Sequence, residues 1–228
     1  MKAVVYCTIF LILLSSPVLA APAISCHCFT DRSFDAGRPD AADPYVLATT
    51  QNSFLAAAFD IDKKEIVKAR MSGTSEEDLW IGHFVAERSD RTFDEVAEAR
   101  KQSPTWPEAL TLLNPDPDLL GPRFAAALEG GSETDLSTAA ADDVLTTRLR
   151  VAPEVLKELR TTGASTREAI ISLFLSRRAD HPALAFFTEV QAGNKTWGQL
   201  LDGLGIEPGM IEGEIRKMLQ GEGSAEKS

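Results

Sequence analysis

The chain has 228 residues, of which 44% are hydrophobic and 25% charged, and its formal net charge is −11. This length supports one or two domains with a real hydrophobic core, and the composition is that of a soluble globular protein. The strong negative charge repels phosphate backbones and anionic membrane surfaces, so it argues against nucleic acid as a partner.

The chain begins with a segment typical of a secretory signal. Lys2 supplies a positive charge, an almost unbroken apolar run extends from Ala3 to Leu14, and Val18-Leu19-Ala20 places small or compact residues where signal peptidase cleaves. This run is shorter than the roughly 20 residues that cross a hydrocarbon core, and no later segment is long and apolar enough. The sequence therefore predicts a cleaved signal peptide over residues 1–20 and a periplasmic or secreted mature protein without a transmembrane segment.

The predicted N-terminal extension, residues 21–43, contains one cluster with chemical potential, Cys26-His27-Cys28. Two thiolates beside an imidazole suit Cu(I) or zinc, so Cys26, His27 and Cys28 are candidate metal ligands. Structural zinc takes four ligands, usually from separated segments. A fourth donor would have to come from Asp31, Asp35, a distant histidine or a second molecule.

The same cysteines have alternatives to metal binding. Cys7 leaves with the signal, so Cys26 and Cys28 cannot staple distant parts of the mature chain. Oxidation after export would join them to each other or link a homodimer through one of them. A free thiol is a further alternative. Lipid anchoring at Cys26 is less favoured, because Ala23 stands where a lipobox usually carries leucine.

The strongest internal signal is self-similarity at an offset of 90 to 91 residues. Residues 61–88 align with 151–178, and one inserted residue later Thr105-Trp106 aligns with Thr196-Trp197. Identical residues in this alignment include Gly73 and Gly163, Ser75 and Ser165, Phe84 and Phe174, and Arg88 and Arg178. The repeat predicts two tandem copies of one unit. Their expected ranges are 44–128 and 136–219, with a linker over 129–135 and a disordered tail over 220–228.

Each copy carries recurrent helix signals. Ser165-x-x-Glu168 and Thr196-x-x-Gln199 are capping boxes. In a capping box, the hydroxyl of the first residue accepts a hydrogen bond from the backbone N–H three residues later, and the side chain of that later residue accepts one from the backbone N–H of the first. Asp43-Pro44 places a cap before a proline at the first helical position, and Gly73 suits a left-handed helix end. No segment alternates in the manner of strands bounded by hairpin turns. The sequence predicts an all-α fold with five or six short helices per copy.

The repeated sequence pattern resembles that of another group of proteins. A Gly-x-Ser turn, a helix and then Thr-Trp-Gly-Gln-Leu-Leu-x-x-Leu-Gly over residues 196–205 are similar to helical repeat units of uncharacterised exported bacterial proteins. The resemblance covers both copies, although the first has Pro107 where the second has Gly198. It implies an exported helical repeat protein and brings no known activity.

Large residues at helical spacing favour core packing over ligand contact. Trp106 and Trp197 each open a helix, and we expect them to anchor its buried face, with a ligand-stacking platform as the alternative. His83 aligns with Leu173, which indicates an apolar position and a histidine at the edge of the core. Arginines in the last helical turns complement the helix dipole, and an anion site is the alternative. These arginines are Arg70, Arg160, Arg88 and Arg178.

The sequence contains no recognisable catalytic motif, such as a nucleophile elbow, a zinc-protease helix, a phosphate-binding loop or a dinucleotide fingerprint. We therefore expect a non-catalytic exported scaffold or protein-interaction module of the cell envelope, with another envelope protein as its partner. Two stacked helical units would offer an extended surface and a cleft at their junction. The alternative is a soft-metal or thiol-redox protein that uses Cys26-His27-Cys28, and an unrecognised hydrolase ranks last.

Overall fold

A computed structural model describes residues 29–221, and within this range the chain forms twelve α-helices, one short 3₁₀ helix and no strand. The all-α prediction is confirmed. The helices are α1 Asp43–Ala58, α2 Lys63–Met71, α3 Glu76–Arg88, α4 Phe93–Lys101, α5 Trp106–Leu113, α6 Pro117–Gly130, α7 Glu133–Arg148, α8 Pro153–Thr161, α9 Thr166–Ala179, α10 Ala183–Gln191, α11 Trp197–Gly203 and α12 Ile211–Gln220, with the 3₁₀ helix at Pro208–Met210. In the described range, no helix has both the length and the apolar character that a membrane span requires.

Local side-chain chemistry starts and ends most of these helices. Ser165 and Glu168 form a complete capping box at α9, and Thr196 and Gln199 form another at α11. Gly73 ends α2 with a φ of 94°, and the following Thr74 amide bonds back to the carbonyl of Ala69. These starts and ends follow the sequence signals. The segment 129–135 contains the end of α6 and the first turn of α7, which Ser132 caps.

The first helical turn of α1 differs from the prediction. The helix begins at Asp43, and no side chain caps it. The Asp43 carboxylate instead accepts hydrogen bonds from the backbone N–H groups of Trp197 (3.1 Å) and Gly198 (2.8 Å) at the start of α11. A carboxylate is favourable at the positive end of a helix, so this contact ties the beginning of α1 to the far end of the chain.

The helices divide into an N-terminal half, α1–α6, and a C-terminal half, α7–α12, and each half accommodates the first helix of the other. Helix α1 packs on α9, α11 and α12, and α7 packs on α3 and α6. Buried residues of both halves form one continuous hydrophobic core. The halves therefore interlock through these exchanged helices, and their junction is packed instead of forming the open cleft expected between stacked units.

Ion pairs reinforce this interlocked arrangement. Arg100 of α4 pairs with Glu133 at the start of α7, with an N–O distance of 2.8 Å. Four further pairs join the halves, namely Arg88 with Asp143, Arg148 with Glu87, Arg167 with Glu76, and Arg123 with Asp142. All of these pairs are at least partly solvated, so each contributes modestly, and their main effect is to fix how the halves meet.

Candidate ligand cleft in the N-terminal half

A cavity of about 250 Å³ opens in the N-terminal half, where the end of α2 faces α3, α4 and the start of α5. We call it the α2–α5 cleft. Its lining comprises Ser72, Gly73, Thr74, Asp78, Gly82, Phe93, Ala97, Arg100, Lys101 and Trp106. Two aromatic rings and three residues with small or absent side chains give it an apolar floor, while charged and hydroxyl groups lie around it.

One carboxylate oxygen holds the walls of the cleft together. Asp78 Oδ1 accepts hydrogen bonds from the indole N–H of Trp106 (3.0 Å) and from Nε of Arg100 (3.2 Å). These residues belong to three different helices, α3, α5 and α4. Trp106 is otherwise fully buried, which confirms its predicted packing role while leaving part of its surface in the cleft lining. The bonds preorganise the cleft, since its walls depend on side chains that are already fixed.

The two basic residues of the cleft differ in their availability. Arg100 also donates to the carbonyl of Ser103 (2.9 Å) and to Glu133 (2.8 Å), so each guanidinium nitrogen has a partner and its charge is balanced by two carboxylates. The Lys101 side chain is 74% exposed, and its ammonium lies 3.8 Å from Glu98. An exposed pair at this distance is weak, so Lys101 is the cation that can turn toward a bound molecule.

The floor of the cleft depends on a glycine. A Cβ atom at Gly82 would lie 2.6 Å from a ring carbon of Phe93, so the ring can pack there only because the side chain is absent. The other side of Phe93 belongs to an aromatic stack, in which its centroid is 4.1 Å from that of His83, and His83 in turn lies 5.5 Å from Phe59. Burial lowers the pKa of His83 to about 4. His83 is thus a neutral histidine at the edge of the core, as predicted.

The same region of the C-terminal half is closed. Helix α10 packs on α8, whereas α2 and α4 have at most a weak contact. Phe187 is buried at the position in α10 that Ala97 occupies in α4, the fifth residue of each helix. The amide of Gln191, the last residue of α10, donates to the carbonyl of Thr162 just beyond α8 (3.3 Å). In the N-terminal half, Lys101 occupies the position of Gln191 and Ser72 occupies the position of Thr162, and both residues line the open cleft.

A second cavity, of about 200 Å³, lies in the C-terminal half between the end of α7, the start of α8 and α9. Leu149 and Leu173 line it. In the N-terminal half, Phe59 and His83 hold those two helix positions and fill the space with their stacked rings. Arg177 borders the cavity, but its guanidinium already donates to the Leu149 carbonyl. Arg150 and Ser176 also line this cavity, so it has cationic and hydroxyl groups, but its lining contains no aromatic ring, in contrast to that of the α2–α5 cleft.

The predicted metal ligands Cys26, His27 and Cys28 lie outside the described residues. Phe29 is the first described residue, and its ring packs edge-on against Tyr45, with ring centroids 5.6 Å apart. Both suggested carboxylate donors already have partners: Asp31 accepts from Arg38 at 2.7 Å, and Asp35 accepts from the Gly37 amide at 2.9 Å. From residue 29 to 221, no three His, Cys, Asp or Glu side chains are grouped so that they could hold a metal ion.

The arginines at the helix ends have structural partners. Arg70 and Arg160 donate to the carbonyls of Thr74 (2.9 Å) and Ala164 (3.0 Å), just beyond their own helices, as the helix-end interpretation predicts. Arg160 also pairs with Asp142 at 2.7 Å. Arg88 and Arg178 pair with Asp143 and Glu214. The alternative of an anion site gains no support from these contacts.

Sequence reasoning missed the α2–α5 cleft, because its defining feature is the small size of Ala97. The signal that could have indicated it is the difference between the two halves at this position, once the helix boundaries set the alignment.

Comparison with known protein families, with curated proteins and with solved structures finds no match to this chain. The function must therefore be inferred from the chemistry of the site itself.

Proposed function

We propose that this protein is an exported, non-catalytic binding protein whose ligand site is the α2–α5 cleft. One observation carries the proposal: the region is open in the N-terminal half and closed in the C-terminal half, where Phe187 is buried and Gln191 bonds to Thr162. Leaving space unfilled next to buried aromatic rings forfeits packing contacts. Such a loss is expected where a site serves a ligand.

Binding fits the polar groups of the cleft better than catalysis does. Asp78 and Arg100 are bonded to each other and hold the walls in place. Ser72 and Thr74 line the cleft, but no histidine is among its lining residues to activate a hydroxyl, and His83 is enclosed between two phenylalanine rings. A nucleophile needs a base within hydrogen-bonding reach. The cleft thus supplies shape, aromatic surface and charge.

We also propose that the two halves arose by duplication of one six-helix unit. The helices of each half follow one another in the same order and with similar lengths, for example sixteen residues in both α1 and α7. Left-handed backbone positions recur at matching places, and Gly193 lies in the loop that is one residue longer. The matched pairs are Asp60 and Arg150, Gly73 and Gly163, Asp90 and Asp180, and Asn114 and Gly205.

We further propose that the mature protein lacks residues 1–20, acts in the periplasm or outside the cell, and meets another envelope protein there. Four large apolar side chains of the described residues are exposed and thus available to a partner: Met71, Leu112, Leu119 and Met210. Mass spectrometry of the native protein should find an N-terminus at Ala21 or Ile24. A chain that retains Met1 and stays in the cytoplasm would contradict export.

The alternative function is soft-metal binding or thiol redox chemistry at Cys26-His27-Cys28, which the adjacency of three donors favours. Thiol titration and metal analysis of the unreduced, natively exported protein would decide it. Two free thiols with stoichiometric copper or zinc would support the metal. A protein with neither free thiols nor metal would exclude it.

The test of the binding proposal uses NMR that follows both ligand and protein signals, with a mixture of neutral, cationic and anionic fragments of about ten non-hydrogen atoms, roughly what a cavity of this size can hold. We expect members of the mixture to bind and to shift the amide signals of Gly73 and Gly82 and the indole signal of Trp106. The variant Ala97→Phe introduces the side chain found at Phe187 and should abolish these effects. Equal binding by both proteins, or by neither, would refute the proposal.

A further inference from the structure

We infer that the α2–α5 cleft selects a small organic anion with a flat apolar body, its charge placed beside Lys101 and its body against Phe93 and Ala97. The inference rests on the proposed function and specifies its ligand. Three properties of the cleft lead to it: its size, its apolar floor and the balance of its charges.

Size limits the ligand first. A cavity of about 250 Å³ corresponds to the liquid volume of about eight water molecules, which suits a body of about ten non-hydrogen atoms. This range includes a single substituted ring. The enclosing walls are rigid, because Asp78 joins Trp106 and Arg100 across three helices. The ligand must therefore fit the existing space.

The floor favours a flat apolar group. Phe93 is fixed on both sides. One side of its ring packs against Gly82, which has no side chain to clash with it, and the other side stacks on His83, with ring centroids 4.1 Å apart. Ala97 leaves open the space that a larger side chain would fill. Aromatic rings pack well against aromatic surfaces in offset or edge-on geometry, and such contacts add to the gain from burying apolar area.

The charges of the lining favour an anion. Among the lining residues, Asp78 is the single carboxylate and Arg100 and Lys101 are the two cations. Glu133 and Glu98, which pair with Arg100 and Lys101, lie outside the lining, so the charge within the cleft is positive. The negative end of α2 is weakened, because three carbonyls of its last turn are already bonded: Lys68, Ala69 and Arg70 accept from the amides of Ser72, Thr74 and Gly73. The position of Lys101 is held in the C-terminal half by an uncharged residue, Gln191, which closes that half with a hydrogen bond.

The probes are three molecules with one ring and different charge: benzoate, benzamide and benzylamine. We expect calorimetric titration to give benzoate an affinity about tenfold higher than benzamide, the size of one charge-assisted hydrogen bond, and benzylamine the weakest binding. Added salt should weaken benzoate alone, since the Lys101 ammonium is solvated. Equal affinities for benzoate and benzamide, or a preference for benzylamine, would overturn the inference.

Two variants separate the charge from the space. Lys101→Gln, which copies Gln191, should remove the preference for benzoate over benzamide. Lys68→Gln removes an equally exposed lysine that lies outside the cleft lining and should leave the preference intact. If Lys101→Gln keeps the full preference, the inferred role of Lys101 is wrong.

The outcomes for the ligand class and for the proposed function remain distinguishable. Ala97→Phe should abolish binding of all three probes, and Ala97→Leu provides a smaller insertion if the first variant fails to fold. Binding that both substitutions reduce but that shows no preference for the anion would overturn the ligand class alone. Binding that neither substitution affects would place the probes elsewhere and overturn the cleft as well.

Discussion

His83 offers the sharpest test of how the core is built. Its imidazole is stacked between Phe93 and Phe59, and burial lowers its pKa from 6.5 to about 4. At neutral pH the ring is uncharged in both the folded and unfolded chain. As the pH falls below 6.5, the unfolded chain takes up a proton that the folded one does not, so folding becomes less favourable until the pH reaches the folded pKa.

The size of this effect follows from the two pKa values. Each unit of pKa difference is worth about 1.4 kcal/mol. Through His83 alone, the free energy of unfolding should therefore be about 2.5 kcal/mol lower at pH 4.5 than at pH 7.5. His83→Leu places in α3 the residue that α9 carries at Leu173, which is buried there. The variant should lack this cost. At pH 7.5 the two proteins should differ by about 1 kcal/mol or less, because the lost ring contacts are offset by the burial of an aliphatic side chain.

Urea unfolding of both proteins between pH 7.5 and 4.5 measures this difference directly, since the carboxylates are common to both. We expect the stability of the variant relative to the original protein to rise steadily as the pH falls. His181→Leu serves as the control, because His181 is exposed at the start of α10, and it should not reproduce this rise. If His83→Leu and the original protein lose stability in parallel, His83 is protonated within the fold and the described stack does not exclude water.

Four further substitutions test other parts of the fold by the same unfolding assay. Trp197→Ala should cost about 3–5 kcal/mol, as large truncations in cores do, and a negligible loss would place the ring at the surface. Ser53→Ala should raise stability by about 1 kcal/mol, because the buried Ser53 hydroxyl lacks a hydrogen-bond partner among the described residues. Thr50→Ala should lower stability, because the Thr50 hydroxyl donates a hydrogen bond to the carbonyl of Val46 at 2.7 Å. Asp43→Ala should cost about 1–2 kcal/mol by leaving two N–H groups of α11 without their carboxylate, and an unchanged unfolding midpoint would show that the contact with α11 is dispensable.

The sequence was sufficient to predict the features that depend on neighbouring residues. Capping boxes such as Ser165 with Glu168 and Thr196 with Gln199 act within four residues, so their chemistry can be recognised without the fold. The burial of Trp106 and Trp197 followed from the spacing of large residues on a helix. These signals also gave the all-α class, because nothing in the described chain competes with them.

Features that depend on distant contacts could not be predicted in the same way. Asp43 looks like the cap of its own helix, but the amides of Trp197 and Gly198 claim its carboxylate because packing brings α11 to the start of α1. The polar segment from Thr49 to Ser53 suggests an exposed face, yet all of it is buried where α1 crosses the C-terminal half. Local propensity is a weak prior against such tertiary contacts.

The two halves have the same order of helices but bury their large side chains at different positions. This difference is the strongest argument for where the site lies. The N-terminal half fills the space between α1, α2 and α3 with Phe59 and His83, and leaves the α2–α5 cleft open at Ala97. The C-terminal half buries Phe187 in α10 and leaves a cavity beside Leu173. Filling either space is thus compatible with the fold. Of these two spaces, only the α2–α5 cleft combines cations, hydroxyls and aromatic rings in its lining, so it is the better fit for a ligand that needs all three.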